Sequence, residues 1–297
     1  MKSGFVTLIG KPNAGKSTLL NTLVGAKVSI VSWRPQTTRN KITGILSTDN
    51  YQIVFFDTPG IHTPRNGLGA YMMKSVRNAA KDVDAIVYVA DAGREMDRRD
   101  IDLMKKYIDD GIPVIAVINK TDEATPEKVM SEIEKLKELE GLTAVIPMSA
   151  LKNRNVQPLI DELLKVIPEG QKFYPDDMIT DKMERFMVAE IIREKALRFL
   201  SEEVPHGTGV EIRKFSERDN GLVDIVADII CEKQSHKGII IGKGGAMLKK
   251  ISTAARLDIE DLLDRKVFLT VYVKVQENWR DDYPTLKELG YDKKNVE

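Results

Sequence analysis

The sequence predicts a doubly wound α/β domain followed by a smaller α+β domain. Three observations carry this. Short apolar runs alternate with helix-period runs up to about residue 170. Polar, turn-forming motifs follow several of the apolar runs, where an open α/β sheet places its ligand site. Beyond residues 171–180, where prolines, a glycine and charges interrupt the periodicity, the pattern changes to helix, two strand-like runs, helices and a last strand. We expect domains over residues 1–170 and 181–280, a linker over 171–180, and a charged C-terminal tail over 281–297 without an assigned role.

In the first domain, strands are expected at residues 5–9, Ile42–Ser47, 53–56, 85–90, 114–118 and Ala144–Pro147. Helices are expected at 18–24, 72–80, Arg98–Asp109, 126–139 and Val156–Val166. The central runs are almost wholly apolar, as in a sheet covered on both faces.

Composition narrows the class. The 297 residues are 42% apolar, and Lys+Arg and Asp+Glu balance at 45 each. No global charge favours a polyanion, so any nucleic-acid surface must be local. A single cysteine, Cys231, excludes a disulfide within the chain and reads as a buried core thiol. No run is apolar for 18 residues, so no membrane span is expected. Met1-Lys2-Ser3-Gly4 leads straight into the first strand, and we expect neither a signal peptide nor acylation.

Gly10-Lys11-Pro12-Asn13-Ala14-Gly15-Lys16-Ser17-Thr18 fits the phosphate-loop pattern G-x-x-x-x-G-K-[ST], between a strand-like and a helix-like run. Gly10 and Gly15 let the backbone curl with its N–H groups inward, and the helix start adds positive charge. Lys16 brings charge to the β- and γ-phosphates, and Ser17 offers a hydroxyl to Mg²⁺. After the run 53–56, Asp57-Thr58-Pro59-Gly60 supplies an acid for Mg²⁺ and a backbone N–H for a γ-phosphate. After 114–118 comes Asn119-Lys120-Thr121-Asp122. The Asp122 carboxylate can accept from the N1–H and 2-amino group of guanine, a donor pair that adenine lacks. Asn119 can bond base and loop, and the Lys120 stem can cover the base. Ser149-Ala150-Leu151 follows the last strand, with backbone suited to guanine O6.

In this order the motifs resemble those of the translation-factor-related GTPases, over residues 5–167. The resemblance implies GTP and GDP as ligands, with Mg²⁺ held by Ser17, Asp57 and a threonine from the segment Trp33-Arg34-Pro35-Gln36-Thr37-Thr38. Thr38 is favoured and Thr37 stays open. Lys16, Thr38 and Gly60 are the expected catalytic residues. Ile61 stands where many small GTPases have a water-orienting glutamine, so slow intrinsic hydrolysis is expected. Asn13 reads either as a turn residue or, from resemblance, as a residue that helps hold K⁺. The guanine motif and Ile61 argue against a phosphotransferase acting on a small molecule.

In the second domain, 181–200 has the spacing of an amphipathic helix. Residues 209–216 and 222–231 read as strands joined through Asn220-Gly221, a hairpin signal. A helical stretch to about residue 264 and a strand over Val267–Val275 follow, with a short helix at 283–289. Within this order, Gly242-Lys243-Gly244-Gly245 is a G-x-x-G turn at a helix start and resembles that of a type II KH domain. Small residues there let a nucleic-acid backbone lie close, and Lys243 adds charge. Residues 233–257 hold six basic residues (Lys233, Lys237, Lys243, Lys249, Lys250, Arg256) and no acid, the footprint of a groove that tracks a backbone. Ile240, Ile241, Met247 and Ile251 are candidate apolar walls for bases, and some of the four must belong to the core.

A GTPase domain followed by a type II KH domain is similar to a family of bacterial ribosome-assembly GTPases. The resemblance implies binding of 16S ribosomal RNA near its 3′ end, action on the 30S subunit, and control of RNA access by GTP. It implies a monomer in the cytoplasm. Peripheral association with the inner face of the cell membrane occurs in the family without a visible basis in these residues. The alternative is a GTPase whose KH-like domain docks a protein.

Overall fold

The computed structural model describes residues 1–292. The chain forms two compact units. One comprises Met1–Thr63 and Met72–Asp181, the other Pro64–Tyr71 and the chain from Lys182 onward.

The first unit is built on a six-stranded sheet of β1 (Lys2–Ile9), β2 (Ile42–Ser47), β3 (Tyr51–Asp57), β4 (Ala85–Asp91), β5 (Val114–Asn119) and β6 (Ala144–Pro147). Its order is β2-β3-β1-β4-β5-β6. β2 runs antiparallel to β3, and the remaining pairs are parallel. The connecting helices are α1 (Lys16–Val24), α2 (Gly67–Ala79), α3 (Arg98–Asp109), α4 (Pro126–Lys137) and α5 (Val156–Val166). Val6, Leu8, Val54, Phe55, Val87 and Val117 lose all exposure, which their wholly apolar runs require. Parallel register puts the strand ends side by side. Leu8 lies opposite Asp57, and Asp91 opposite Asn119. Three separate sequence motifs therefore meet beyond one edge of the sheet.

The expected linker at 171–180 is folded into this unit. Gln52 of β3 is fully buried, and its Oε1 accepts from the N–H groups of Phe173 and Tyr174 at 2.7 and 3.0 Å. The Phe173 ring packs on Phe5 at 4.4 Å. The Ile45 N–H donates to the Ile179 carbonyl at 2.9 Å, so the segment covers the outer edge of β2. Its prolines and charges gave no periodic signal, because its partners lie more than 100 residues away in sequence.

The second unit contains α6 (Glu184–Phe199), β7 (Gly209–Glu217), β8 (Val223–Cys231), α7 (Gln234–Ile241), α8 (Ala246–Leu263), β9 (Val267–Val275) and α9 (Tyr283–Glu288). β7 and β8 form the expected antiparallel hairpin, and β9 pairs parallel to β8. A parallel neighbour needs a crossover, which α7 and α8 supply. Val188 and Ile192 of α6, Ile225 and Ala227 of β8, and Ile251 and Ile259 of α8 share one core. Cys231 is buried in the same core.

Two boundaries differ from expectation. α2 begins at Gly67, not 72, and residues 64–71 pack within the second unit. There the Leu68 N–H donates to the Arg280 carbonyl at 2.8 Å, and the Gly67 N–H to Asp281 Oδ1 at 2.6 Å. The presumed tail is structured as far as it is described. Trp279 is fully buried, with its indole N–H on the Gly207 carbonyl at 3.0 Å. Tyr291 is 4% exposed and packs against Trp279 and Tyr71. Residues 293–297 of the expected tail lie outside the described residues.

Candidate nucleotide and nucleic-acid sites

A cavity of about 460 Å³ opens beyond the carboxyl ends of the central strands, lined by the phosphate loop, residues 30–33 and 36–38, Gly60, Asn119, Lys120, Asp122, Ser149 and Leu151. Local physics shapes its floor. Gly15 has φ 96°, and a Cβ there would meet Asn119 Nδ2 at 2.2 Å. A Cβ at Gly60 would meet the Pro12 backbone at 2.6 Å. Both glycines are therefore required by close approach. The Lys16 ammonium spans the loop, donating to the Gly10 and Lys11 carbonyls at 3.0 and 3.1 Å. Burial lowers the Lys16 pKa to about 8, against the opposing charge of Asp57.

Ser17, Thr38 and Asp57 converge. Asp57 Oδ2 accepts from Ser17 Oγ at 2.6 Å, Ser29 Oγ at 2.9 Å and Thr38 Oγ1 at 3.3 Å. The Ser17 and Thr38 hydroxyls are 2.8 Å apart. Asp57 is fully buried, and its Oδ1 has no hydrogen-bond partner. Burial raises its pKa, although Lys16 and the three hydroxyls pull it back. A buried carboxylate oxygen without a donor, beside two hydroxyls, fits a Mg²⁺ ion that shares its shell with phosphate oxygens and water. Thr37 also lines the cavity, but its hydroxyl donates to the Arg34 carbonyl at 2.7 Å instead of joining this cluster.

The guanine side is built from β5 and the loop after β6. The Asn119 amide donates to the Ala14 carbonyl and accepts from the Ala150 N–H, each at 2.9 Å. Both ends of that amide thus tie loops together, and the Ala150 N–H expected at the base is taken up. Lys120 Nζ bonds Asp91 at 2.7 Å, which leaves its stem along the cavity. Asp122 lies exposed at the mouth, and a hydrogen bond from Ser149 holds its pKa below the usual carboxylate range.

Some expected residues stand elsewhere. The Lys11 side chain points out of the cavity to Asp100 at 2.7 Å. Thr58 is fully buried and donates to the Leu8 carbonyl at 2.8 Å. Pro59, Gly10, Ala14 and Ala150 shape the loops without lining the cavity. Trp33, Gln36, Arg94 and Glu123 line it and were not singled out from the sequence. Arg94 follows Asp91 at the end of β4, so the strand-end reasoning used for the other motifs would have found it.

In the second unit, G-x-x-G is the turn between α7 and α8. Gly242 has φ 73°, and a Cβ there would meet Met247 Cβ at 2.7 Å. Gly244 and Gly245 have φ 59° and 80° with open space above them. Lys243 and Lys249 are exposed around this turn, and Lys237 is half-buried on α7. Two expected contacts need correction. Ile240 has no exposure and belongs to the core with Ile251, while Ile239, 49% exposed, holds the surface position. Ile241 and Met247 are partly buried against the same core. Lys250 lies over the Phe199 ring at 4.5 Å, on the α6 side of α8. With Lys249, Thr253 and Leu257 it borders a shallow groove there.

A phosphate loop, a hydroxyl–carboxylate cluster suited to Mg²⁺ and a base pocket, followed by a G-x-x-G turn on a three-stranded sheet, define a P-loop GTPase joined to a KH domain. A family described as 50S ribosome-binding GTPase matches residues 5–120, and the KH domain family matches 203–280. GTPase Era of Clostridium kluyveri is 54% identical over 98% of this chain and 99% of its own length, and that of Clostridium botulinum 53% over 98% and 99%. Two crystal structures align at a TM-score of 0.94. One is Era from Aquifex aeolicus bound to GDP·AlF₄⁻, 39% identical over 98% of this chain and 100% of that one. The other is Era in complex with MgGDPNP and nucleotides 1506–1542 of 16S ribosomal RNA, 40% identical over 98% and 99%. The chain belongs to the Era family of GTPases.

Proposed function

We propose that this chain is a GTP-hydrolysing switch that binds 16S ribosomal RNA near its 3′ end and assists assembly of the 30S subunit. The observation that carries the nucleotide half is the cluster of Ser17, Thr38 and Asp57, whose carboxylate meets the hydroxyls through Oδ2 and keeps a buried Oδ1 without a hydrogen-bond partner. These three residues would hold Mg²⁺, which neutralises phosphate charge when bound. Lys16 moves from the loop carbonyls to the phosphates. Gly60 presents its N–H to the γ-phosphate. Asp122 selects guanine. Ile61 packs against the core beside β4 and donates its N–H to the Gly10 carbonyl at 3.1 Å, so its side chain orients no water and intrinsic turnover is slow.

The RNA half rests on the exposed Lys243 at a turn whose glycines admit a backbone, and on the relative solved with ribosomal RNA. Lys237, Ile239, Ile241, Met247 and Lys249 complete the surface. We place the monomer in the cytoplasm. Peripheral association with the membrane follows from family resemblance alone, and among the described residues no helix is long and apolar enough to cross a membrane.

Asn13 keeps both readings, since its φ of 65° is that of a turn residue and its side chain lies where a K⁺ ligand is proposed. Its side-chain amide meets the Trp33 carbonyl at 2.6 Å. In the K⁺ reading this amide, which here donates to that carbonyl, would turn to offer its oxygen to the cation. Faster hydrolysis in K⁺ than in Na⁺, lost in Asn13→Ala, is the expected result, and equal rates would leave Asn13 as a turn residue.

The deciding experiment is anisotropy of a labelled RNA from the 3′ end of 16S ribosomal RNA, at fixed salt. Tighter binding with a non-hydrolysable GTP analogue than with GDP supports a switch. Equal binding removes the control by GTP. No binding in either state removes the RNA half and favours a docked protein.

A further inference from the structure

Lys11 occupies a variable position of the phosphate-loop pattern, yet its side chain is held. Its ammonium reaches Asp100 Oδ2 at 2.7 Å and Asp97 Oδ2 at 3.0 Å. Asp97 is half exposed, and an ion pair of that kind contributes little. Asp100 differs, with a side chain only 5% exposed. Its Oδ1 accepts from the Tyr88 hydroxyl at 2.5 Å, and its Oδ2 from the Asp97 N–H at 2.8 Å as well as from Lys11.

The bland explanation is a helix cap. Asp97 and Asp100 do form a capping box at the start of α3. One half of that box is the Asp100 N–H on Asp97 Oδ1 at 3.3 Å, and the other asks of the Asp100 side chain only that Oδ2 accept the Asp97 N–H. It gives no reason for Tyr88 and Lys11 to converge on the same buried carboxylate. Tyr88 stands on β4 opposite Ile9, the last residue before the loop. A Cβ on Gly10 would meet the Val89 carbonyl at 2.2 Å, so the loop begins hard against β4. The carbonyls of Gly10 and Lys11 are the two that Lys16 spans, and Gly10 O also accepts the Ile61 N–H. The backbone just before the cradle is thus tied on one side to the γ-phosphate-sensing loop and on the other, through Lys11, to α3.

We propose that Asp100 is a positioning residue for nucleotide binding, which ties the first turn of the phosphate loop to the N-terminus of α3 through Lys11 and Tyr88. This rests on the nucleotide reading above. A buried acceptor deprived of a charged donor is costly, so loss of the tie lets the loop drift from the geometry that meets the phosphates. The pKa of Lys11 agrees with a formed pair: burial lowers it, but the bonds and charges of Asp100 and Asp97 outweigh burial and hold it above the ordinary lysine value.

The test is stopped-flow release of a fluorescent GDP from the full chain in Mg²⁺. Parent, Lys11→Met, Lys11→Arg, Asp100→Asn and the Lys11→Met/Asp100→Asn double variant are compared. Binding by the parent tests the nucleotide site itself, and only differences between variants test the tie. Lys11→Met and Asp100→Asn are expected to speed release about tenfold each. Lys11→Arg, which still reaches both carboxylates, stays within about threefold of the parent. The double variant releases no faster than the faster single one, since both remove one interaction. Release at the parent rate in Lys11→Met, equal loss in Lys11→Arg, or multiplied effects in the double variant would each overturn the proposal. Should Asp100→Asn fail to fold, Lys11→Met and Lys11→Arg still decide, because Lys11 is 41% exposed.

Discussion

Lys16 shows how a single residue carries both stability and function. Its pKa falls from 10.5 to about 8 in the nucleotide-free fold because burial disfavours the charge. The folded chain therefore releases a proton between those values that the unfolded chain keeps, and the nucleotide-free fold gains stability as pH rises from about 8 to 10.5. Phosphates need the charged form. GDP affinity is expected to be flat below about pH 8 and to fall by up to tenfold per unit above it. Titration calorimetry across that range checks this, and a flat profile to pH 10 would contradict it. The two threonines give a second residue-scale prediction. Thr38 touches Ser17 and Asp57, whereas Thr37 closes a turn on Arg34. Thr38→Ala should lower hydrolysis about 10- to 100-fold with a raised Mg²⁺ requirement. Thr37→Ala should stay within a few-fold, and single-turnover rates over a Mg²⁺ series distinguish the two. The sequence narrowed the choice to these neighbours and stopped, because adjacent residues in an aperiodic loop point in directions that only the folded turn sets.

At the scale of elements, motifs that are contiguous in sequence were legible, and helix faces were legible only in part. The strand–loop–helix of the phosphate site and the G-x-x-G turn need glycines at fixed local spacing, so their residues announce them. Gly242→Ala should cost unit 2 about 2–4 kcal/mol, by adding strain at positive φ to a clash with Met247. Gly244→Ala, with open space, should cost about 1–2 kcal/mol. Urea midpoints rank the pair, and equal costs would refute the clash. The triplet Ile239-Ile240-Ile241 read as one apolar wall, but a helix turns 100° per residue and sends Ile240 into the core while Ile239 faces out. α6 was read from its apolar stripe alone. It also buries Glu190 and Arg193, which bond through Nε at 2.7 Å. Glu190→Ala should cost about 3–5 kcal/mol, whereas replacing both by Leu and Met should be nearly neutral. Equal losses in the single and double variants would show that the pair is worth more than its desolvation.

Across the whole molecule, the chain carries two tryptophans, one in each compact unit. Trp33 is 70% exposed at the nucleotide cavity, and Trp279 has no exposure. Trp279→Ala should destabilise unit 2 by about 3–5 kcal/mol, through lost packing and the orphaned Gly207 carbonyl. In Trp279→Phe, Trp33 alone reports, and GDP at 100 times its Kd should shift that transition by about 2.7 kcal/mol. An unmoved Trp33 transition would mean that the nucleotide binds elsewhere. The alternation of strands and helices made both architectures readable, since each element buries a face that its own spacing displays. The packing of the segments at 64–71, 171–181 and 279–291 was not readable, although the short helix expected at 283–289 is present as α9. Their partners are remote in sequence, so nothing in their own residues announces what they pack against.

The sequence by itself determined the order of the elements, the phosphate loop, the acid and guanine motifs at the strand ends and the G-x-x-G turn. Each of these is a local pattern in which backbone conformation and residue type are bound together within a few positions. Tertiary structure alone decided which hydroxyl meets Asp57, which isoleucine stays in water, where Lys11 and Lys250 point, and that the chain beyond β9 packs as core. Those outcomes depend on which faces meet when distant segments pack, and a side chain's direction in space is settled by its neighbours across the fold rather than along the chain.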